Sequence, residues 1–168
     1  MVVIKSKGFI LRPYRKGDEE SLIKNINDRD IYKYTLRIPC PYTKKHAKQW
    51  IESTKKKDKT KVNFAIDLND EVIGGVGFEI KEPHRAEIGY WLGIKYWNQN
   101  IMTEAIKLVT QFGFDKLKLR RIEATIDPKN KASARVLLKN GYKFEGLLKN
   151  YHIKKGKMLD VLMYAKVK

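Results

Sequence analysis

The sequence predicts a single α/β (α+β) domain over residues 1–168, and three observations carry that expectation. Segments of period two alternate with segments of helical period along the whole chain. A chain of 168 residues with 42% hydrophobic residues can bury one substantial core without disulfides or a structural metal. Turn residues punctuate it at short intervals, and no repeat, linker or low-complexity tract divides it.

Phe9-Ile10-Leu11-Arg12-Pro13 reads as a strand entering a turn, and Gly17-Asp18-Glu19-Glu20 sets acids where a helix N-terminus favours them. Leu22, Ile23 and Ile26 form that helix's apolar stripe, and Asn27-Asp28-Arg29-Asp30 ends it. Ile31 to Tyr42, with Pro39 and Pro41, is expected as a loop or broken helix able to line a pocket. Thr43 N-caps a second helix through Ala47, Trp50 and Ile51, which runs out in the charged stretch Lys55 to Lys59. Val62 to Ile66 and Val72 to Ile80 are strands flanking the turn Leu68-Asn69-Asp70-Glu71. Gly74, Gly75 and Gly77 in the second strand signal a bulge or close packing.

After the turn at Pro83-His84-Arg85, Ala86 to Leu92 is a strand with Glu87, Gly89 and Trp91 on one face and Ile88, Tyr90 and Leu92 on the other. The period then changes: Met102, Ala105, Ile106, Val109, Phe112 and Gly113 predict an amphipathic helix from about Thr103 to Lys116. Arg121 to Ile126 is a strand stopped by Asp127-Pro128, and Asn130 caps a helix through Val136 and Leu137 that stops at Asn140-Gly141. Phe144 to Ile153, interrupted by Gly146, and Leu159 to Val167 close the chain as a hairpin turning at Lys154-Lys155-Gly156-Lys157.

The net charge of +17 implies a field that attracts polyanions, such as phosphates, nucleic acid or an acidic protein surface. Its lysines are scattered, in Lys44-Lys45, Lys55-Lys56-Lys57, Lys116-Leu117-Lys118 and Lys154-Lys155, which equally describes a solvated surface. No apolar run approaches the ~18 residues of a membrane span, so no membrane partner is expected. The segment Met1 to Lys7 has neither a long apolar stretch nor a small-residue cleavage site, and a cytoplasmic location is the expectation. Cys40, the sole cysteine, lies between two prolines and reads as an inert thiol; no disulfide or thiolate metal cluster can form within the chain. No zinc spacing, nucleotide-binding Walker loop or Ser-His-Asp pattern is present, so no metal site is expected.

A strand, a loop and a helix N-terminus in succession offer free amides and a positive dipole end, a seat for a phosphate or pyrophosphate. The residues in and around this unit resemble the GNAT superfamily, in particular the RimJ/RimL branch of ribosomal-protein N-terminal acetyltransferases. The likeness lies in Ile10-Leu11-Arg12-Pro13 with Asp18, then Ala86 to Leu92, Tyr96-Trp97, Thr103-Glu104-Ala105 and Arg121-Ile122-Glu123-Ala124. It continues through Asp127, Asn130, Ala132-Ser133, Val136-Leu137, Gly141 to Gly146, Gly156, Asp160-Val161 and Tyr164. The resemblance implies a central mixed, mostly antiparallel, twisted sheet with splayed central strands and helices on both faces. It also implies acetyl-CoA as cofactor, its pantetheine arm beside Trp91, Leu92 and Gly93 and its pyrophosphate on the amides of Asn98, Gln99, Asn100, Ile101, Met102 and Thr103. Asn98 and Asn100 stand where the family usually has glycine or alanine. Asparagine tolerates positive φ better than other side chains, so the turn can form with both in place.

Asn130 has a structural task as N-cap, and the resemblance adds a contact near the thioester. It likewise places Ser133 beside the departing sulfur, and Leu137 occupies the position where many members carry a tyrosine as general acid; Ser133 is then the proton donor or hydrogen-bond partner. An ammonium must lose a proton before attacking a thioester. The resemblance offers Glu87 for this through water, and His152, whose ordinary pKa is near neutrality, is the rival on the strand after Gly146. Glu87 is preferred, while His46 and His84 are expected to face solvent. The acceptor implied is a primary amine, in the first place a protein N-terminus, with ribosome or acidic-surface association. A polyamine or other small amine is the alternative acceptor, and a basic RNA-binding or ribosome-binding module that lost the chemistry is the alternative of another class. A homodimer is compatible with the sequence, which leaves the oligomeric state open.

Overall fold

The computed structural model describes residues 2–56 and 58–168; Met1 and Lys57, the latter within the charged run expected after the second helix, lie outside the described residues. The strands are β1 (Ile4–Lys5), β2 (Ile10–Arg12), β3 (Lys61–Leu68), β4 (Glu71–Glu82), β5 (Arg85–Leu92), β6 (Arg121–Ile126), β7 (Lys143–Lys154) and β8 (Lys157–Val167). The helices are α1 (Glu19–Ile26), α2 (Arg29–Tyr34), α3 (Lys44–Lys55), α4 (Ile101–Asp115) and α5 (Lys131–Lys139). The strands form one sheet ordered β1-β2-β3-β4-β5-β6-β8-β7. Every neighbour pair is antiparallel except β5 with β6.

Period two divides the sheet's side chains between two cores. On one face Phe64, Ile66, Val76, Phe78, Ile88 and Ile122 pack against Met102, Ile106 and Val109 of α4 and Leu137 of α5. On the other, Ala65, Val72 and Trp91 pack against Leu22 and Ile26 of α1, Ile31 of α2, and Ala47 and Ile51 of α3. The sheet is thus covered on both sides, as the family resemblance implies. The β4 glycines serve close packing: a Cβ on Gly75 would lie 2.3 Å from the Tyr14 hydroxyl oxygen and one on Gly77 2.3 Å from Val62 O. A bulge is present too, since the register passes from Ile66–Gly74 to Asp67–Val72 and skips Ile73.

Local chemistry moves some predicted boundaries. Asp18 precedes α1 without capping it. Its carboxylate instead accepts from both terminal nitrogens of Arg12, at 2.9 and 2.8 Å, while Arg12 Nε reaches Asp67 at 2.5 Å, all three residues being buried. Asp28, expected to end the first helix, begins the next: its side chain accepts from Asp30 N and caps α2. The Ile31–Tyr42 segment is therefore helical in its first part. Thr43 caps α3 as expected, but His46 closes a reciprocal capping box with its ring and is partly buried rather than solvent-facing. His84 is exposed. α4 begins at Ile101, two residues ahead of expectation, and the N-terminal strand β1 carried no recognisable pattern.

Candidate active site

β5 matters because it ends where the sheet opens. It pairs with β4 along its length but with β6 only over Arg85–Glu87 against Arg121–Glu123. Glu123 pins this short joint, accepting from Arg85 at 3.0 Å and from Arg121 Nε at 2.6 Å. Beyond it the strands part, and among the described residues the β6-facing backbone of Ile88–Leu92 has no strand partner. After a 3₁₀ turn at Ile94–Tyr96, Asn98 and Asn100 both take left-handed backbone, at φ 61° and 58°. This is the conformation that glycine ordinarily supplies and that asparagine adopts more readily than other side chains. The loop braces itself: the Trp97 indole donates to Leu92 O at 2.8 Å and the Gln99 amide to Lys95 O at 2.9 Å. Asn100 precedes α4 without giving its side chain to the first-turn amides. Those N–H groups stay available to an anion at the positive end of a four-turn helix.

The parted strands, this loop and the face of α5 enclose part of a cavity of about 1440 Å³. Its lining includes Glu87, Trp91, Leu92, Asn98, Gln99, Asn100, Ile101, Met102, Thr103, Asn130, Ser133 and His152. Gly93 lies outside that lining; its N–H donates to Ile73 O at 2.8 Å, and a Cβ there would meet Asn25. Lys131, Arg135 and Lys139 also line the cavity, and their i, i+4, i+8 spacing sets them along one face of α5. On the opposite side the wall comes from α2, residues 35–39 and β7. Lys154 joins these by donating to Tyr32 O at 2.5 Å and Thr35 O at 2.7 Å, capping the C-terminal end of α2. Arg37 reaches Glu79 of β4 at 2.8 Å.

Two hydrogen-bonded groups face this cavity. In the first, Asn130 Oδ1 accepts from Ser133 N at 3.0 Å, capping α5, and Ser133 Oγ lies 2.5 Å from the Tyr90 hydroxyl. Burial pushes the Tyr90 phenol well above its ordinary range, against the opposing pull of the Ser133 bond, so it stays protonated. In the second, Thr125 Oγ1 donates to Glu87 Oε1 at 2.7 Å and lies 3.2 Å from His152 Nε2. Glu87 Oε2 pairs with Lys81 Nζ at 3.3 Å, and Glu79 flanks the same ammonium at 3.1 Å. Burial lowers the pKa of His152; Glu87 works to raise it, and the Arg37 and Lys81 charges lower it further.

A chain with a parallel joint that opens, a left-handed loop at a helix N-terminus and an Asn-capped helix behind it has the parts of an acyl-CoA fold. The sequence model of the acetyltransferase (GNAT) domain matches residues 9–143. This chain belongs to the GNAT acetyltransferases. An uncharacterized N-acetyltransferase, p20, of Bacillus licheniformis is 31% identical over 100% of this chain and 97% of its own. The ribosomal-protein-serine acetyltransferase of Escherichia coli is 34% identical over 62% of this chain and 59% of its own. Among solved structures, a GNAT-family acetyltransferase from Bacillus anthracis superposes with a TM-score of 0.87, at 27% identity, over 99% of this chain and 98% of that one.

GNAT acetyltransferases use acetyl-CoA, and the residues here fit such a donor: unpaired strand edge, free first-turn amides and a basic helix face suit an extended, phosphate-bearing molecule. No helix among the described residues is long and apolar enough to cross a membrane, and no group of three or more His, Cys, Asp or Glu among them is arranged to hold a metal. Sequence reasoning passed over Tyr90, Thr125 and the α5 cations. The α5 spacing was readable as a stripe of charge, whereas Tyr90 and Thr125 on neighbouring strands gave no signal until the sheet brought them to Ser133 and Glu87.

Proposed function

We propose that this GNAT acetyltransferase, working as one cytoplasmic domain, moves the acetyl group of acetyl-CoA to the α-amino group of a protein N-terminus by direct attack. The observation that carries this reading is the cavity itself. It runs from the left-handed Asn98–Asn100 loop past the parted strands and Ser133 to Glu87 and His152, with a further wall from α2, residues 35–39 and β7. That further wall gives an extended peptide end room beyond the reacting amine. The name of the Escherichia coli relative, a ribosomal-protein-serine acetyltransferase, supports a protein acceptor. The net charge of +17 fits an acceptor displayed on an acidic or RNA-rich surface such as a ribosome, and sits poorly with a polycationic amine.

Acetyl-CoA supplies a thioester carbonyl open to attack. Amides at the start of α4 hold its pyrophosphate, Lys131, Arg135 and Lys139 meet its remaining phosphate charge, and the free backbone of β5 aligns the arm. The acceptor ammonium gives a proton to a base drawn from the Glu87 and His152 pair. The neutral nitrogen then forms the new C–N bond as the C–S bond breaks. Ser133 protonates the leaving sulfur and takes the Tyr90 proton in turn, and the second proton released by the acetylated nitrogen passes through the cavity that both residues line to Tyr90, which is left protonated at the end of the step.

The test measures coenzyme A thiol release with acetyl-CoA and peptides that begin with a free serine, alanine or methionine. The same peptides with a blocked terminus and an internal lysine, and spermidine, serve as competitors of the reading. Release that requires the free terminus is expected. Transfer to spermidine or to internal lysine with none to a free terminus overturns the acceptor.

A further inference from the structure

The two groups that compete for the role of base are joined through one hydroxyl. Thr125 lies on β6 two residues past Glu123, the last residue of the β5–β6 joint, and so at the mouth of the opening. Its Oγ1 is 2.7 Å from Glu87 Oε1, contributed by β5, and 3.2 Å from His152 Nε2, contributed by β7. Both distances are those of formed hydrogen bonds, the shorter typical of a charged acceptor.

A hydroxyl has one proton to give and lone pairs to receive. Glu87, ion-paired to Lys81 through its other oxygen, can only accept, so the Thr125 proton goes to Glu87. What Thr125 presents to His152 is then a lone pair, and the proton between them belongs to the imidazole. We propose that Thr125 is a positioning residue that converts the negative charge of Glu87 into the Nε2–H tautomer of His152, leaving Nδ1 as the nitrogen that takes the proton from the acceptor amine. No hydrogen bond among the described residues engages Nδ1. No side-chain nitrogen or oxygen among them is both buried and without a partner, so Nδ1 is accessible to solvent, and His152 lines the cavity.

The groups facing His152 from each neighbouring element agree with this role. Glu87 on β5 favours the imidazolium that forms when the proton arrives, while Lys81 on β4 and Arg37 from the α2–α3 connection oppose it beforehand. The Tyr151 ring, 4.8 Å away in an edge-on arrangement, limits rotation of the imidazole. Burial together with the two cations keeps the ring neutral near pH 7, the form a base needs. Glu87 thus acts through Thr125 and not through water, and its preference over His152 as the base is reversed.

The inference rests on the acetyl-transfer reading, and its test is chosen to stand apart from the choice of acceptor. Nitrogen-15 spectra of the full chain, with histidine rings labelled, report the tautomer of each imidazole; His152→Gln identifies the His152 signals among the three histidines. The wild-type protein is expected to hold the Nε2–H tautomer. Thr125→Val, which keeps the shape and removes the hydroxyl, should lose that preference and lower kcat about 10²-fold with KM for acetyl-CoA within about twofold. Thr125→Ser should restore both. An Nδ1–H tautomer in the wild type overturns the proposal, as does Thr125→Val with an unchanged tautomer and unchanged pH profile. If no free N-terminus is acetylated while the tautomer still follows the hydroxyl, the acceptor reading fails and the assignment of Thr125 holds.

Discussion

Removing the Ser133 hydroxyl should separate catalysis from folding. In Ser133→Ala the α5 cap survives, because Asn130 Oδ1 accepts from the Ser133 backbone amide and not from its side chain. What is lost is the 2.5 Å hydroxyl pair with Tyr90. Ser133 is 8% exposed, so the Tyr90 phenol is left short of a partner in a largely dry place at a cost of roughly 1–3 kcal/mol. Tyr90→Phe leaves the smaller Ser133 hydroxyl unmatched and costs about 1 kcal/mol, and the double variant should cost less than the two singles together, with a coupling of about 0.5–3 kcal/mol. On the rate, with Ser133 as the proposed proton donor to the leaving sulfur, Ser133→Ala is expected to cost about 10²–10⁴ in kcat, or roughly 3–5 kcal/mol of barrier. Tyr90→Phe keeps Ser133 but cuts its supply, and should lie nearer about tenfold. Because the two act in series, the double variant should be no slower than Ser133→Ala alone. Urea unfolding gives the stabilities, and initial rates of thiol release across acetyl-CoA concentrations give kcat and KM. Multiplicative losses in kcat from the two singles would refute the relay, and a Ser133→Ala enzyme within twofold of wild type would refute the donor.

Asn98→Gly and Asn100→Gly should keep or tighten coenzyme A binding by calorimetry, since glycine holds φ 61° and 58° without strain; Asn100→Val, β-branched at positive φ, should weaken it. Marked weakening in the glycine variants would show that the asparagine side chains make contacts of their own. Arg12→Met leaves the buried Asp18 and Asp67 carboxylates with only the half-exposed Arg15 guanidinium, at 3.9 and 4.0 Å, and urea unfolding should report a loss of about 3 kcal/mol. The pH dependence follows from the lowered pKa of His152. With His152 as the proposed base and its pKa below the ordinary 6.5, kcat/KM should hold at pH 6.5 and fall only further down, and His152→Gln should remove that fall. The sign for stability is the same. The unfolded chain takes the proton first, so the contribution is intact above 6.5 and is lost as pH falls toward the lower folded value, and urea midpoints should fall more for wild type than for His152→Gln.

Much of the fold was legible because backbone chemistry writes locally. The Asn130 and Thr43 caps, the β5 alternation and the α4 stripe each follow from a few adjacent residues. The boundary misread after the first helix has a local cause: Asp28 could have ended one helix or begun the next, and its side chain settles on Asp30 N. At the site, the asparagine pair was legible as a substitute for glycine because φ preference belongs to a single residue. The links Tyr90–Ser133, Glu87–Thr125 and Thr125–His152 join residues 43, 38 and 27 positions apart, and run from strand to helix, between adjacent strands, and from β6 to β7 beyond β8, placements that period alone does not name. Glu87 and His152 were read as separate candidates, with Glu87 preferred, because the Thr125 hydroxyl that joins them is visible only in the folded chain.

The short joint between β5 and β6 gives the molecule two sheet edges that face each other inside the protein. An edge strand on an outer surface invites pairing with another chain and needs charges, proline or bulges to discourage it. Here the N–H and C=O groups of Ile88–Trp91 that point toward β6 lie without a strand partner in a wedge whose apex is closed by Glu87 and Glu123. A strand from a second protein would have to enter with its own side chains alternating to both sides. A slender amide-bearing arm can enter without them. The wedge thus works as a filter on cross-section: the same unsatisfied backbone that would be an aggregation hazard elsewhere becomes a seat reserved for thin, extended molecules.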